Sequence, residues 1–225
     1  MIMKKWIAAF AAVCMTVVAL TSCDIGLRHK NYEDNVTSSE YFEFTLIGEE
    51  YEISMKADAV LPEAVYLPTT YEGKPVTAIG EEGFAFAAGL KTVTVPESYK
   101  KIGMAAFQGA PDLKKADVLG DGLTEVGAFA FQDCVKLSEY VFNKSLKTIG
   151  QFAFANTAIY KFAPAGVVSI GKYAFYNCSA LKTVVIPASL TELGEKAFGN
   201  CVFTSVSVDS ANEFFKVENN EIVAK

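Results

Sequence analysis

Ile170-Gly171-Lys172-Tyr173-Ala174-Phe175-Tyr176-Asn177-Cys178-Ser179-Ala180-Leu181-Lys182-Thr183-Val184-Val185-Ile186-Pro187 decides the fold, because its spacing returns along the chain. The apolar-Gly pair recurs as Ile79-Gly80, Ile102-Gly103, Val126-Gly127, Ile149-Gly150, Ile170-Gly171 and Leu193-Gly194, at steps of 23, 24, 23, 21 and 23 residues. Five residues after each pair's first member stands Phe84, Phe107, Phe131, Phe154, Phe175 or Phe198. A small residue precedes each Phe, and another small residue follows at Ala87, Ala110, Cys134, Thr157, Cys178 and Cys201. Three residues before each pair is a further large, mostly apolar side chain: Val76, Tyr99, Leu123, Leu146, Val167 or Leu190. Each copy ends in a period-2 run such as Thr92-Val93-Thr94-Val95-Pro96, which predicts a short strand. A degenerate copy precedes the first full repeat at Val65-Tyr66-Leu67-Pro68.

A repeat of this length cannot bury its own apolar set, but stacked copies can. In-register stacking at about 4.8 Å places like on like and pairs each strand with the next in a parallel sheet. The Phe column then forms a continuous spine, which accounts for the excess of 17 Phe over a single Trp. Burial of each Phe contributes about 1.5–3 kcal/mol. Alanine and threonine share the column of Cys134, Cys178 and Cys201, so that position calls for a small, half-apolar side chain. Cys178 and Cys201 fall in adjacent repeats, and their pairing as a disulfide stays open.

The ends of the chain read differently. Met1–Lys5 is a short basic start, and residues 6–20 are an uncharged, mostly apolar run of 15 residues. A membrane span needs about 20, so this run has the length expected of a signal-peptide h-region. It ends at Leu20-Thr21-Ser22-Cys23, which resembles the bacterial lipobox and implies cleavage over residues 1–22 and acylation of Cys23. Residues 23–39 are polar, hold the only histidine, His29, and read as a tether. Phe42, Phe44 and Leu46 alternate with polar residues, as do Tyr51, Ile53 and Met55 after the turn at Gly48-Glu49-Glu50. That pattern predicts a β-hairpin, placed to cap a solenoid whose first repeat would otherwise expose an apolar end.

Composition and motifs exclude several classes. The net charge of −6 offers no basic stripe for nucleic acid. One histidine in a tether cannot serve a nucleophile–His–acid set. No metal-ligand spacing occurs, so no metal or cofactor is expected and the chain reads as a non-enzyme. Gly166–Tyr173 nearly matches a phosphate-binding loop but has Tyr173 where Ser or Thr must reach the metal. Glu81-Glu82 is an acid pair that reads as an exposed repeat turn. Two surface columns remain as candidate ligand-binding residues. The outward side chains of the strands include Thr92, Lys115, Glu139, Lys161 and Thr183, on the face a solenoid uses for binding. A second column is aromatic across three repeats, at Phe129, Phe152 and Tyr173. If exposed, these rings suit a sugar or a protein; otherwise they pack against the turns.

Taken over all its copies, the pattern Ile-Gly-x-x-Ala-Phe-x-x-Cys-x-x-Leu-x-x-Val-x-Ile-Pro resembles the BspA-like leucine-rich repeats of bacterial surface proteins. The resemblance covers about Val65 to Val208, and the tail looks like the start of a closing hairpin. It implies a leucine-rich-repeat solenoid with parallel strands on one face and short helical or irregular turns opposite. The layout expected is residues 40–74 as hairpin cap and half repeat, 75–208 as six repeats and 209–225 as a C-terminal cap. The resemblance also implies a lipid-anchored protein at the bacterial cell surface or outer membrane, acting in adhesion by binding a protein ligand. Capture of a glycan is the alternative partner.

Overall fold

The computed structural model describes Tyr32 and residues 35–225. The chain divides into two compact units, Met1–Val36 and Thr37–Lys225, and the second carries the fold described below. The segment read as a signal peptide, residues 1–22, and Cys23 lie outside the described residues.

Strands β1 (Phe42–Ile47) and β2 (Glu50–Met55) form the antiparallel hairpin expected from the alternation, with Ile47 opposite Glu50. Gly48 at φ +65° is the first of the two residues between the strands, the position that only a glycine enters readily. Next come β3 (Ala64–Tyr66), β4 (Thr70–Tyr71), β5 (Lys74–Ile79), β6 (Thr92–Val95), β7 (Lys101–Ile102), β8 (Lys115–Val118) and β9 (Glu125–Val126). They are followed by β10 (Glu139–Tyr140), β11 (Thr148–Ile149), β12 (Lys161–Phe162), β13 (Ser169–Ile170), β14 (Thr183–Ile186), β15 (Glu192–Leu193) and β16 (Ser205–Val208). The closing hairpin pairs β17 (Phe215–Glu218) with β18 (Glu221–Ala224) through Asn219 and Asn220, both at positive φ.

Two strand columns run along the solenoid. The column read from the sequence consists of β3, β6, β8, β10, β12, β14 and β16, paired in parallel with equivalent residues in register except between β10 and β12. The second column is the apolar-Gly pair itself. It forms the longest sheet, β1-β2-β5-β7-β9-β11-β13-β15, through short parallel bridges such as Ile149 with Val126 and Ile170. The N-terminal hairpin starts this sheet, with β2 parallel to β5, and thereby covers the first repeat. The glycines are there because backbones touch. A Cβ on Gly150 would lie 2.4 Å from the Ala128 nitrogen, and one on Gly194 would lie 2.3 Å from that of Lys172.

The turns opposite are irregular, as expected, but not helical. Within residues 35–225 the only helix is the 3-10 turn Ser39–Tyr41. Two residues of every turn sit at positive φ, as Phe129 (+61°) and Asp133 (+62°) do in the third repeat. Local bonds run i to i−3, for example Ala130 N–H to Gly127 O and Cys134 N–H to Phe131 O. Positive φ at the third residue of such a turn is the signature of type II, and it breaks any helix. The freed N–H groups point along the solenoid. Phe129, Phe131 and Asp133 donate to Gln151, Ala153 and Ala155 O of the next repeat, at 2.8, 2.7 and 3.0 Å.

The core lies between these walls. Phe84, Phe107, Phe131, Phe154 and Phe175 are fully buried, and their rings stack at centroid separations of 5.1–5.3 Å. Val76, Tyr99, Leu123, Leu146, Val167 and Leu190 are buried beside them. Cys134, Cys178 and Cys201 are free thiols, each donating to the carbonyl of the Phe one repeat earlier: Phe107, Phe154 and Phe175. The two cysteines left open for pairing thus spend their hydrogens on the backbone. Burial pushes the Cys134 thiol up to about 12 and that of Cys201 to about 11.

Candidate binding cleft on the strand face

The strand column is not continuous. It splits into a four-stranded sheet, β10-β8-β6-β3, and a three-stranded sheet, β12-β14-β16, with no pairing between β10 and β12. Elsewhere one carbonyl accepts two amides from the next repeat. Lys114 O accepts from Ser138 and Glu139, and Tyr160 O accepts from Lys182 and Thr183. The matching bonds from Tyr160 and Lys161 to Ser138 O are missing among the described residues. The break is confined to this face. On the other, Ile149 stays in register with Val126, and Phe131 stacks on Phe154.

Side-chain volume explains the break. Inward positions of neighbouring strands hold Val93 and Val95, Ala116 and Val118, or Val184 and Ile186. In β10, β12 and the residues beside them those positions carry Tyr140, Phe142 and Phe162. The Tyr140 ring meets both Phe131 (5.4 Å) and Phe154 (4.8 Å) edge-on, so it straddles two repeats. Phe142 lies against Phe154, Phe162 and Phe175. Three extra rings beside the Phe spine cannot fit at the spacing that strand pairing demands. The fourth repeat is also the shortest, which removes backbone where pairing would resume. The Tyr140 hydroxyl is buried without a hydrogen-bond partner among the described residues, and burial holds it un-ionised far above its usual range.

The opening is a cleft of about 460 Å³ lined by residues 115, 117, 138–142, 160, 161 and 163. Its volume lies within the range of ligand pockets. Lys115 and Asp117, two residues apart on β8, pair along one wall at 3.3 Å. Glu139 and Lys161 have no ion-pair partner among the described residues, and both are exposed. Tyr160 and Val141 stand out from the rim, 59% and 49% exposed. Of the candidates on the strand face, Lys115, Glu139 and Lys161 are gathered here. Thr92 extends the ladder beyond Lys115, and Thr183 extends the other beyond Lys161. Tyr160 and the break itself escaped the sequence reading, although the aromatic residues at inward positions and the short fourth repeat were the signal.

The aromatic column is also assembled, but away from the cleft. Phe129 and Phe152 stack at 5.6 Å and Phe152 and Tyr173 at 4.9 Å, with planes 10° apart in both pairs. All three are half-buried. Their faces are spent on one another, so the column presents ring edges to solvent, whereas stacking on a sugar needs faces. An amide ladder runs one turn further on. Asn156 Nδ2 donates to Asp133 Oδ1 at 2.6 Å, and Asn177 Nδ2 to Asn156 Oδ1 at 2.8 Å. No group of three or more His, Cys, Asp and Glu able to hold a metal occurs among the described residues.

Stacked Phe, parallel ladders and an N-terminal hairpin cap define a leucine-rich-repeat solenoid. The chain belongs to the BspA type leucine rich repeat family, whose model matches six copies over residues 67–163 and 162–220. Among solved structures it is similar to the leucine-rich-repeat protein of T. pallidum, at 30% identity and TM-score 0.64, over 77% of this chain and 86% of that one. A leucine-rich-repeat protein of Bacteroides ovatus matches at 24% identity and TM-score 0.66, over 77% of this chain and 47% of that one. A leucine-rich cell surface protein of Faecalibacterium prausnitzii matches at 21% identity and TM-score 0.64, over 84% and 58%. The last two likenesses show the fold alone, and the chain spans about half the length of those proteins. No curated protein matches the sequence.

Proposed function

We propose that the chain is a binding module for a protein ligand, displayed at a bacterial surface, and that the ligand docks on the strand face around the cleft between β10 and β12. The carrying observation is the break in the ladder. It gathers charges of both signs, exposed Tyr160 and backbone groups without strand partners in one concave site. A protein surface offers the complement of each: opposite charges, an apolar contact for the tyrosine, and peptide groups. Rim charges of this kind steer encounter and set orientation, while the aromatic supplies contact area. Repeat solenoids of this class serve generally as binding scaffolds, and no catalytic role is assigned.

The test is a matrix-protein and cell-surface array probed with the chain from residue 37 onward. The variant combining K115A, E139A and K161A is expected to lose most binding while keeping its thermal transition. Unchanged binding by that variant removes this face as the site. Display through Cys23 rests on the lipobox-like Leu20-Thr21-Ser22-Cys23. It is tested by metabolic labelling with an alkyne fatty acid, where C23S must abolish incorporation.

A further inference from the structure

The hydrogen bonds between turns have one direction. In each of the first five repeats, three turn amides donate forward to three carbonyls of the next repeat. Glu82, Phe84 and Phe86 donate to Met104, Ala106 and Gln108; Tyr173, Phe175 and Asn177 donate to Glu195, Ala197 and Gly199. The distances along the stack run from 2.7 to 3.0 Å. The glycine of each apolar-Gly pair donates backward, as Gly194 N–H does to Ile170 O at 2.7 Å. In the sixth repeat the same three amides, Lys196, Phe198 and Asn200, have no acceptor among the described residues, and no amide donates to Leu193 O. All four groups belong to residues lining an open volume of about 710 Å³ between the last repeat and the closing hairpin. Its apolar lining includes half-buried Phe198, Phe203, Phe215 and Ile222.

We propose that this end of the solenoid is a docking edge for one further repeat turn of the Gly-x-x-Ala-Phe type, supplied by another polypeptide. The donor pattern selects that occupant. A second copy set tail to tail presents donors to donors. A folded second copy set head to tail presents a turn whose middle carbonyl, Gly83 O, already accepts from Met55, and whose Gly80 N–H is spent on Ile53 O. An uncapped turn offers three carbonyls at alternate residues and a glycine N–H, which is the full complement of the edge. The glycine is also required sterically. At every internal junction a Cβ there falls 2.3–2.8 Å from the backbone of the preceding turn. The inference is independent of the cleft, which lies on the strand face two repeats away.

The experiment appends residues 169–187 of this same chain after Lys225 through a flexible Gly/Ser linker. Ala224 lines the open volume, so a short linker suffices, and tethering raises the local concentration to the millimolar range. Amide hydrogen exchange is read by NMR in the full chain carrying either the native segment or the same segment with its glycine replaced, G171A. The native segment is expected to slow exchange of the Lys196, Phe198 and Asn200 amides by about tenfold or more. The G171A segment is expected to leave them unchanged. Equal exchange with both segments, or protection that appears at Tyr160 and Lys161 instead, overturns the proposal.

Discussion

Phe154 is stacked between Phe131 and Phe175 at 5.2 Å on either side and has no exposed surface. Neither neighbour can collapse into a void there without breaking its own stack, so F154A is expected to cost about 3–5 kcal/mol in chemical denaturation. F86A makes the contrast. Phe86 is 71% exposed, and its loss is expected to stay within about 0.5 kcal/mol, as for ordinary surface changes. The thiols make a pH prediction. Cys134 ionises near its ordinary value of 9.0 when unfolded and near 12 when folded. A raised folded value means the native state holds the proton more tightly. Its contribution is therefore complete below pH 9 and declines as pH rises from about 9 to 12. Denaturation midpoints followed over that range should fall less steeply in C134A than in the parent chain.

At the level of elements, the apolar-Gly column and the break in the strand column each make a measurable difference. G150A places a Cβ 2.4 Å from the Ala128 nitrogen, inside a turn hydrogen-bonded on both sides. The overpacked junction should lose at least about 1–3 kcal/mol, and more than an alanine at half-buried Gly89, where no atom lies within 4 Å but φ is +79°. The break predicts an exchange pattern. The Tyr160 and Lys161 amides, which have no partner among the described residues, should exchange quickly, while Lys182 and Thr183, both bonded to Tyr160 O, should be protected. Slow exchange at Tyr160 would mean that the ladder closes in solution and that the cleft is lost.

Over the whole molecule, stability is a sum of junctions between neighbouring repeats, and the hairpin β1–β2 seals the first of them. Phe42 of that hairpin is buried against Phe84 at 6.0 Å, so F42A is expected to fray the N-terminal repeats first, seen as early loss of protection at Phe84 before Phe154. The repeat, the Phe spine, the buried columns and the capping hairpin were all legible in the sequence. Each is a repeated demand made by one residue type: a large ring at 154 and 175, a small side chain at 153 and 174. The turns were read only as irregular. Asp133, Asn156, Asn177 and Asn200 share one positive-φ column that such residues tolerate, a sign that escaped the sequence reading, whereas Phe129, Phe152 and Tyr173 in the other carry no such sign. Those rings accept strained backbone because stacking and a forward hydrogen bond hold them there. The cleft was half legible: Lys115, Glu139 and Lys161 were assigned to one face, while the gap among them was not. A period states which residues are equivalent, and so by itself determined the solenoid. Whether three adjacent rings fit at the spacing of a strand ladder is a matter of volume between repeats, and only the tertiary packing of Tyr140, Phe142 and Phe162 decided it.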